Sequence, residues 1–251
     1  MNINNIPNLI DKITVNSKGL MSDKFTMVDK ELFETVKRNY WNINMVPGDI
    51  VECGTWRGGY GIFLSHLFEN KKIYICDSFC GFPPLNEMRY DHQSYQDTHS
   101  GVYLDRFDGR INTTLRVNLS TVIENFKKFG LQSQIENGRI EMVEGYVNDT
   151  LPKIKTKGIA LLRIDVDSYS GTHEVLDHLY HKVNKGGMII FDDLCLTESY
   201  TAIKDWMIKS KLPSLKKLEV RNPYTDEVYS LNERVVGNET GAHTGSYIIK
   251  K

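Results

Sequence analysis

Short runs of Val, Ile, Leu and Met alternate along the chain with longer segments whose apolar residues recur every three or four positions, the pattern of strands alternating with helices in an α/β sheet. Strands are expected at DIVECGT (49–55), KIYICDSF (72–79), RIEMVEGY (139–146), IALLRIDVD (159–167) and GMIIFDD (187–193). LKKLEVR (215–221) and TGSYIIKK (244–251) read as further strands, and their polar flanks suit an antiparallel edge. Helices are expected over 57–69, in STVIENFKKFG (120–130), in THEVLDHLYHKV (172–183) and in TAIKDWMIK (201–209). The first 45 residues read as helical and outside the sheet, either as a cap over a site or as a contact between two copies of the chain.

The segment from Gly81 to Val117 follows neither period. It is polar, turn-rich and aromatic (Tyr90, Tyr95, Tyr103, Phe107), which suits a lid or binding loop better than a solvated linker. With 251 residues and 40 % apolar content, the whole chain, 1–251, is expected to form one domain with a substantial core. A net charge of -1, with no basic stripe, argues against a nucleic-acid partner. No apolar run is long enough for a membrane helix, and no long apolar stretch opens the chain, so a cytoplasmic location is expected. Cys53, Cys76, Cys80 and Cys195 are scattered without metal spacing and read as reduced thiols.

The first candidate strand ends in VECGTWRGGYGIF, where a glycine-rich turn opens a helix. Such a turn lets backbone amides approach a ligand, although GxGxxG is absent and the glycines could simply permit a tight bend. Trp56 and Arg57 in this turn could pack a cofactor or anchor the following helix. Asp77 ends the second strand about twenty residues past the turn, where a carboxylate can accept from both hydroxyls of a ribose, or cap a helix. Turn and Asp77 together point to an adenosine-type ligand.

VECGTWRGG, DSFCGFP, VIENFKKFGL leading to EGYVNDTLP, and LRIDVDSYSGTHEVLDHLYHKVNKGGMIIFDDL follow one another in an order that resembles the macrocin and mycinamicin (TylF-like) sugar O-methyltransferases. The likeness runs over about residues 25–195. It implies a Rossmann-like class I S-adenosylmethionine-dependent methyltransferase fold, with a mostly parallel seven-stranded sheet of order 3-2-1-4-5-7-6, strand 7 antiparallel, helices on both faces, and a need for magnesium. By that resemblance the turn with Glu52, Gly54, Thr55 and Gly58 holds the methionine part of the cofactor, Asp77 and Ser78 the ribose, Gly145 and Tyr146 the adenine, and Asp165 joins the cofactor site. The family usually has glycine where Val166 stands; that departure and Cys53 bear on pocket shape rather than on the carboxylates.

In this strand order the fourth and fifth strands are neighbours about 4.8 Å apart, so Asp165 and Asp192 at their carboxyl ends come within reach of one ion. Asp192 and Asp193 can turn to one site only if the strand stops there. Crowded carboxylates repel, a divalent cation removes that cost, and oxygen-only ligands suit Mg2+. The expected metal set is therefore Asp165, Asp192 and Asp193, with Asp167 as an outer candidate; the pair Asp192 and Asp193 alone could also be a helix cap. The resemblance makes Asp192 the expected base, ahead of His173 and His99. His173, His178 and His181 do not share one helix face and read as surface or packing residues. The expected acceptor is a sugar or sugar nucleotide. Competing readings are a nucleotide-binding oxidoreductase, disfavoured by the missing GxGxxG, and a non-catalytic binding module, disfavoured by the retained aspartates.

Overall fold

The structure, a computed structural model, describes residues 6–14, 25–83, 115–194, 196–210, 219–221, 228–230 and 245–251. Three helices, α1 (Ile6–Thr14), α2 (Lys30–Arg38) and α3 (Tyr40–Met45), precede β1 (Asp49–Cys53). α4 (Gly59–Leu67), β2 (Ile73–Asp77), α5 (Leu119–Lys128), α6 (Gln132–Glu136), β3 (Ile140–Glu144) and α7 (Val147–Thr150) follow. The chain continues through β4 (Ile159–Ile164), α8 (Tyr169–Leu179), β5 (Val183–Phe191), α9 (Thr197–Lys209), β6 (Glu219–Arg221), β7 (Val228–Ser230) and β8 (Ser246–Ile249).

These strands form one sheet in the order β3-β2-β1-β4-β5-β8-β6-β7. The strands from β3 to β5 run parallel, and β8 pairs antiparallel with β5, Met188 opposite Ile249 and Ile190 opposite Tyr247. With β8 counted as the seventh strand, the expected order appears in the first seven places. The expectation of seven strands is corrected by β7, an eighth, which pairs antiparallel with β6. Three residues are too few for alternation to show in sequence.

Most strands are shorter at their ends than expected by one to three residues, and two limits differ in ways that matter. β4 stops at Ile164 rather than running to Asp167, and β5 begins at Val183, well before the Gly187 expected. The polar Asn184 and Lys185 and the Gly186-Gly187 pair imitate a turn, but Gly186, at φ +83°, is accommodated inside the strand.

Alternation along the parallel strands feeds two apolar layers. Ile50, Ile73, Ile75 and Leu161 face one layer, with Phe33, Phe63 and Phe126 from the helices. Val51, Tyr74, Leu162 and Ile189 face the other, with Val175, Leu176 and Trp206. α4 is buried along nearly its whole length, since the sheet lies on one side and α1 and α2 on the other. Gly59 there donates to the Phe25 carbonyl at 2.9 Å, which fastens the N-terminal segment beside the end of β1. The lid expected over 81–117 falls mostly on residues outside those described.

At the end of β1, Gly54 sits at φ +83°, and a Cβ there would lie 1.5 Å from the Asp165 carbonyl oxygen. The β1 and β4 ends can approach this closely only without a side chain. Gly54→Ala is therefore expected to lower stability by at least about 3 kcal/mol, read as the midpoint of urea denaturation; a midpoint near wild type would show that the two strand ends part without cost.

Candidate functional site

The carboxyl ends of β1, β2, β3 and β4 open into a cavity of about 210 Å³. Gly54 and Trp56 come to it from the turn after β1, Asp77 and Ser78 from the end of β2, Tyr146 from the turn after β3, and Asp165 from the end of β4. This is the side on which open α/β sheets take ligands, because the strand-to-helix turns converge there.

Asp77 organises the glycine turn. One carboxylate oxygen accepts from the amides of Thr55 at 2.8 Å and Trp56 at 3.3 Å, and the other from the Phe79 amide at 2.8 Å. These bonds hold Trp56 at φ +49° and Phe79 at φ +53°, conformations that non-glycine residues adopt only when tied down. Burial raises the Asp77 pKa and the three amides oppose the rise. A carboxylate has about four lone-pair directions, so Asp77 keeps room for a further donor.

Beneath the cavity lies Arg163, an arginine inside an otherwise apolar strand and only 1 % exposed. Its guanidinium meets Glu52 of β1 at 2.9 Å, Asp165 at 2.5 Å and Asp192 at 3.2 Å, and stacks over the Tyr60 ring of α4 at 4.6 Å. It also donates to the Gly54 carbonyl at 3.3 Å. Burial raises Glu52 to a pKa of about 7 against the pull of Arg163. Burial likewise raises Asp192 to about 7, with Arg163 opposing and Asp165 adding repulsion.

A second carboxylate group adjoins this one. Asp165, Asp167 and Asp193 each present an oxygen within 4.8 Å of the others. Asp167 stands at φ +51°, past the end of β4, and its amide donates to the Asp193 carboxylate at 3.0 Å. Ser168 then caps α8 by accepting from the Gly171 amide at 3.1 Å. Burial raises Asp165 to about 6, helped by Asp167 and opposed by Arg163. Burial and the charges of Asp167, Asp165 and Asp192 push Asp193 well above the carboxylate range. Such crowding of oxygen donors, with no sulfur or imidazole, fits a small hard cation such as Mg2+.

Of the residues expected from sequence, Gly54, Asp77, Ser78, Tyr146 and Asp165 line the cavity. The others lie elsewhere. Glu52 is 0 % exposed and engaged by Arg163 and by the Thr55 hydroxyl at 3.0 Å, so it supports the turn from below. A Cβ on Gly58 would strike Phe126 at 2.7 Å, which makes that glycine a packing requirement between the turn and α5. Gly145, at φ +131°, donates to the Asp77 carbonyl at 3.0 Å.

β5 stops at Phe191 as the paired aspartates require, yet their carboxylates part: Asp193 joins Asp165 and Asp167, whereas Asp192 turns onto Arg163. Sequence reasoning missed Arg163 and the cavity-lining Glu174; the signal for Arg163 was a cation between Leu162 and Ile164 in a buried run. His173 and His178 face Asp177 at 3.4 Å and Glu174 at 3.1 Å on their own helix, apart from the carboxylate cluster. Cys53 and Cys76 are buried free thiols, and Cys80 is exposed; Cys195 and His99 lie outside the described residues.

The family model described as Macrocin-O-methyltransferase (TylF) matches residues 17–220. Mycinamicin III 3''-O-methyltransferase of Micromonospora griseorubida is 31 % identical over 166 residues, 64 % of this chain and 61 % of that protein. Demethyldecarbamoylnovobiocin O-methyltransferase of Streptomyces niveus is 32 % identical over 175 residues, 67 % of this chain and 62 % of that protein. The chain thus matches about six-tenths of the length of these relatives. Among solved structures, the O-methyltransferase NovP superposes with a TM-score of 0.74 at 22 % identity over 98 % of each chain. That likeness shows a Rossmann-like methyltransferase fold. No helix among the described residues is long and apolar enough to cross a membrane.

Because Asp77 holds the turn through three amides, Asp77→Ala should destabilise the protein even without ligand, by about 2 kcal/mol or a Tm fall of about 4–8 °C. Scanning calorimetry of the ligand-free variant checks this; an unchanged Tm would mean that the turn keeps its shape unaided.

Proposed function

Since the chain belongs to the macrocin O-methyltransferase (TylF) family, we propose that it is an S-adenosylmethionine- and Mg2+-dependent O-methyltransferase acting on a hydroxyl of a sugar, in a glycoside or a nucleotide-activated sugar. The observation that carries the reading is the meeting, at one strand edge, of the Asp77-ordered turn with the cluster of Asp165, Asp167 and Asp193. Residues 1–251 act in this reading as one methyltransferase domain. The names of the matched relatives give mycinamicin III, demethyldecarbamoylnovobiocin and a rhamnosyl tetracenomycin as their acceptors; a surface glycan is the other acceptor class considered for this chain.

Bound S-adenosylmethionine supplies an already activated sulfonium methyl. The chain's own residues then have to align an oxygen behind that methyl and accept its proton. Gly54 and Trp56 would border the methionine part, Asp77 and Ser78 the ribose, and Tyr146 the adenine. Asp165, Asp167 and Asp193 would hold Mg2+, which lowers the pKa of a hydroxyl at such a site, while Asp192, also of the expected set, is turned onto Arg163. Asp192, the first acid after β5, is the expected proton acceptor, as the family resemblance implies. Asp167, which lines the cavity, is the competing acceptor.

Calorimetry of chelator-treated protein with S-adenosylhomocysteine, followed by a methyl-transfer screen over glycosides and sugar nucleotides, tests the proposal. Saturable binding with transfer that chelator abolishes and Mg2+ restores is expected. Asp192→Asn should lose turnover by at least a hundredfold, or about 2.7 kcal/mol of barrier, while cofactor affinity stays within a few-fold. Substantial turnover in Asp192→Asn together with its loss in Asp167→Asn would move the base to Asp167. NAD binding in place of S-adenosylhomocysteine would overturn the methyltransferase reading.

A further inference from the structure

The arginine in β4 is costly unless something requires it. A buried ion pair is often less stabilising than apolar residues of the same volume, because desolvation of the charges offsets their attraction. Arg163 occupies a position flanked by Leu161, Leu162 and Ile164, all buried, where period and neighbours call for an aliphatic side chain. Stability alone gives little reason to keep a guanidinium there.

What it does touch comes from three strand ends at once. Glu52 lies near the end of β1, Asp165 follows β4, and Asp192 follows β5. A guanidinium is a planar fork with five donors, suited to holding separate carboxylates in fixed directions, whereas a lysine offers one point charge. Here one terminal nitrogen donates to Glu52 and the Gly54 carbonyl, and the other donates to Asp165 and stands in ion-pair contact, without a hydrogen bond, with Asp192. Tyr60 closes the opposite face, so the guanidinium is shut off from solvent. Glu52 in turn is anchored by the Thr55 hydroxyl.

Arg163 lies outside the group of Asp165, Asp167 and Asp193 but shares Asp165 with it, and it draws Asp192 away from it. We propose that Arg163 is a positioning residue: it fixes the direction of Asp165 in advance, so that the trio meets a divalent cation already arranged, keeps Asp192 outside that trio, and ties the arrangement to the turn after β1 through Glu52 and Gly54. The inference rests on the methyltransferase reading only for the identity of the ligands. Its physical content is that removing the buried guanidinium fork alters cation binding at carboxylates while the cavity wall stays in place.

The test uses Arg163→Lys, which keeps the charge and loses the fork. Mn2+ affinity is measured by electron paramagnetic resonance on chelator-treated protein, S-adenosylhomocysteine affinity by calorimetry, and folding by thermal denaturation. The expected result is a folded variant with cofactor affinity within about threefold and Mn2+ affinity weakened at least about tenfold. Equal Mn2+ affinity in the folded variant, or equal loss of both ligands in step with a fall in Tm, would overturn the proposal. Should Arg163→Lys fail to fold, Glu52→Gln gives the answer, since Glu52 borders neither the cavity nor the carboxylate trio, and a glutamine removes the charge facing Arg163 while keeping an oxygen for the Thr55 hydroxyl. A Mn2+ affinity weakened at least about threefold is then expected, and an unchanged one is contrary.

If the wild type binds no Mn2+, the metal reading of the site fails, and positioning is read from stability instead. The Tm losses of Arg163→Lys and Asp165→Asn should then fall short of their sum in the double variant. Simple additivity would show that the two side chains do not depend on each other.

Discussion

Carboxylates from the ends of three neighbouring parallel strands of one mixed sheet are brought within a few ångströms of each other, and Arg163 is the buried cation that Glu52, Asp165 and Asp192 share. Burial raises the pKa values of Asp165, Asp192, Asp193 and Glu52, and repulsion among the carboxylates, which grows as water is excluded, adds to the rise. A chain can hold such a cluster only if the surrounding fold is rigid and part of the charge is met from within. The sheet provides the first, through closely registered β1, β4 and β5 between two apolar layers. Arg163 provides the second for the carboxylates beneath the cavity. The oxygens of Asp165, Asp167 and Asp193 on its upper side remain crowded, and a divalent cation is the simplest counter-charge for them.

The glycine turn is bound to the same constraint. Gly54 lets β1 approach the Asp165 backbone, and its own carbonyl accepts from Arg163. Asp77 then gathers the following amides, so the shape of the turn is set by an acid at the end of a neighbouring strand rather than by glycine content alone. Gly58, Gly59 and Gly61 serve packing instead. Each lies against another part of the protein, Phe126, the Phe25 backbone and Glu52 respectively, and allows α4 to sit deep in the core. A turn that resembles a ligand cradle is thus equally a packing device, and only its first half borders the cavity.

Much of the fold was legible because parallel strands are buried on both faces and read as continuous apolar runs. DIVEC, IYICD and IALLRI announce themselves, and the resemblance supplied their order. β7 and the start of β5 did not, because one has three residues and the other opens with polar residues and glycines. The site was legible to the level of which loops contribute. Asp77 and Asp165 could be placed because strand ends and register determine them. The side-chain directions of Asp192, Asp193 and Asp167 could not: Arg163 draws Asp192 inward, and the left-handed backbone of Asp167 turns its amide toward Asp193. Those are tertiary contacts with no trace in periodicity. Glu52 shows the same limit, since alternation puts it on the face of α4 and Arg163, below the cavity it was expected to line.

The central claim is that these aspartates hold a cation beside a cofactor site. Anomalous diffraction from crystals soaked in Mn2+ and S-adenosylhomocysteine tests it most directly. One strong peak within coordinating distance, about 2.0–2.2 Å, of Asp165 and Asp193, next to density for the cofactor at Asp77, is the result this account requires. Cofactor density without a peak at the aspartates, or a peak at another place on the surface, would contradict it.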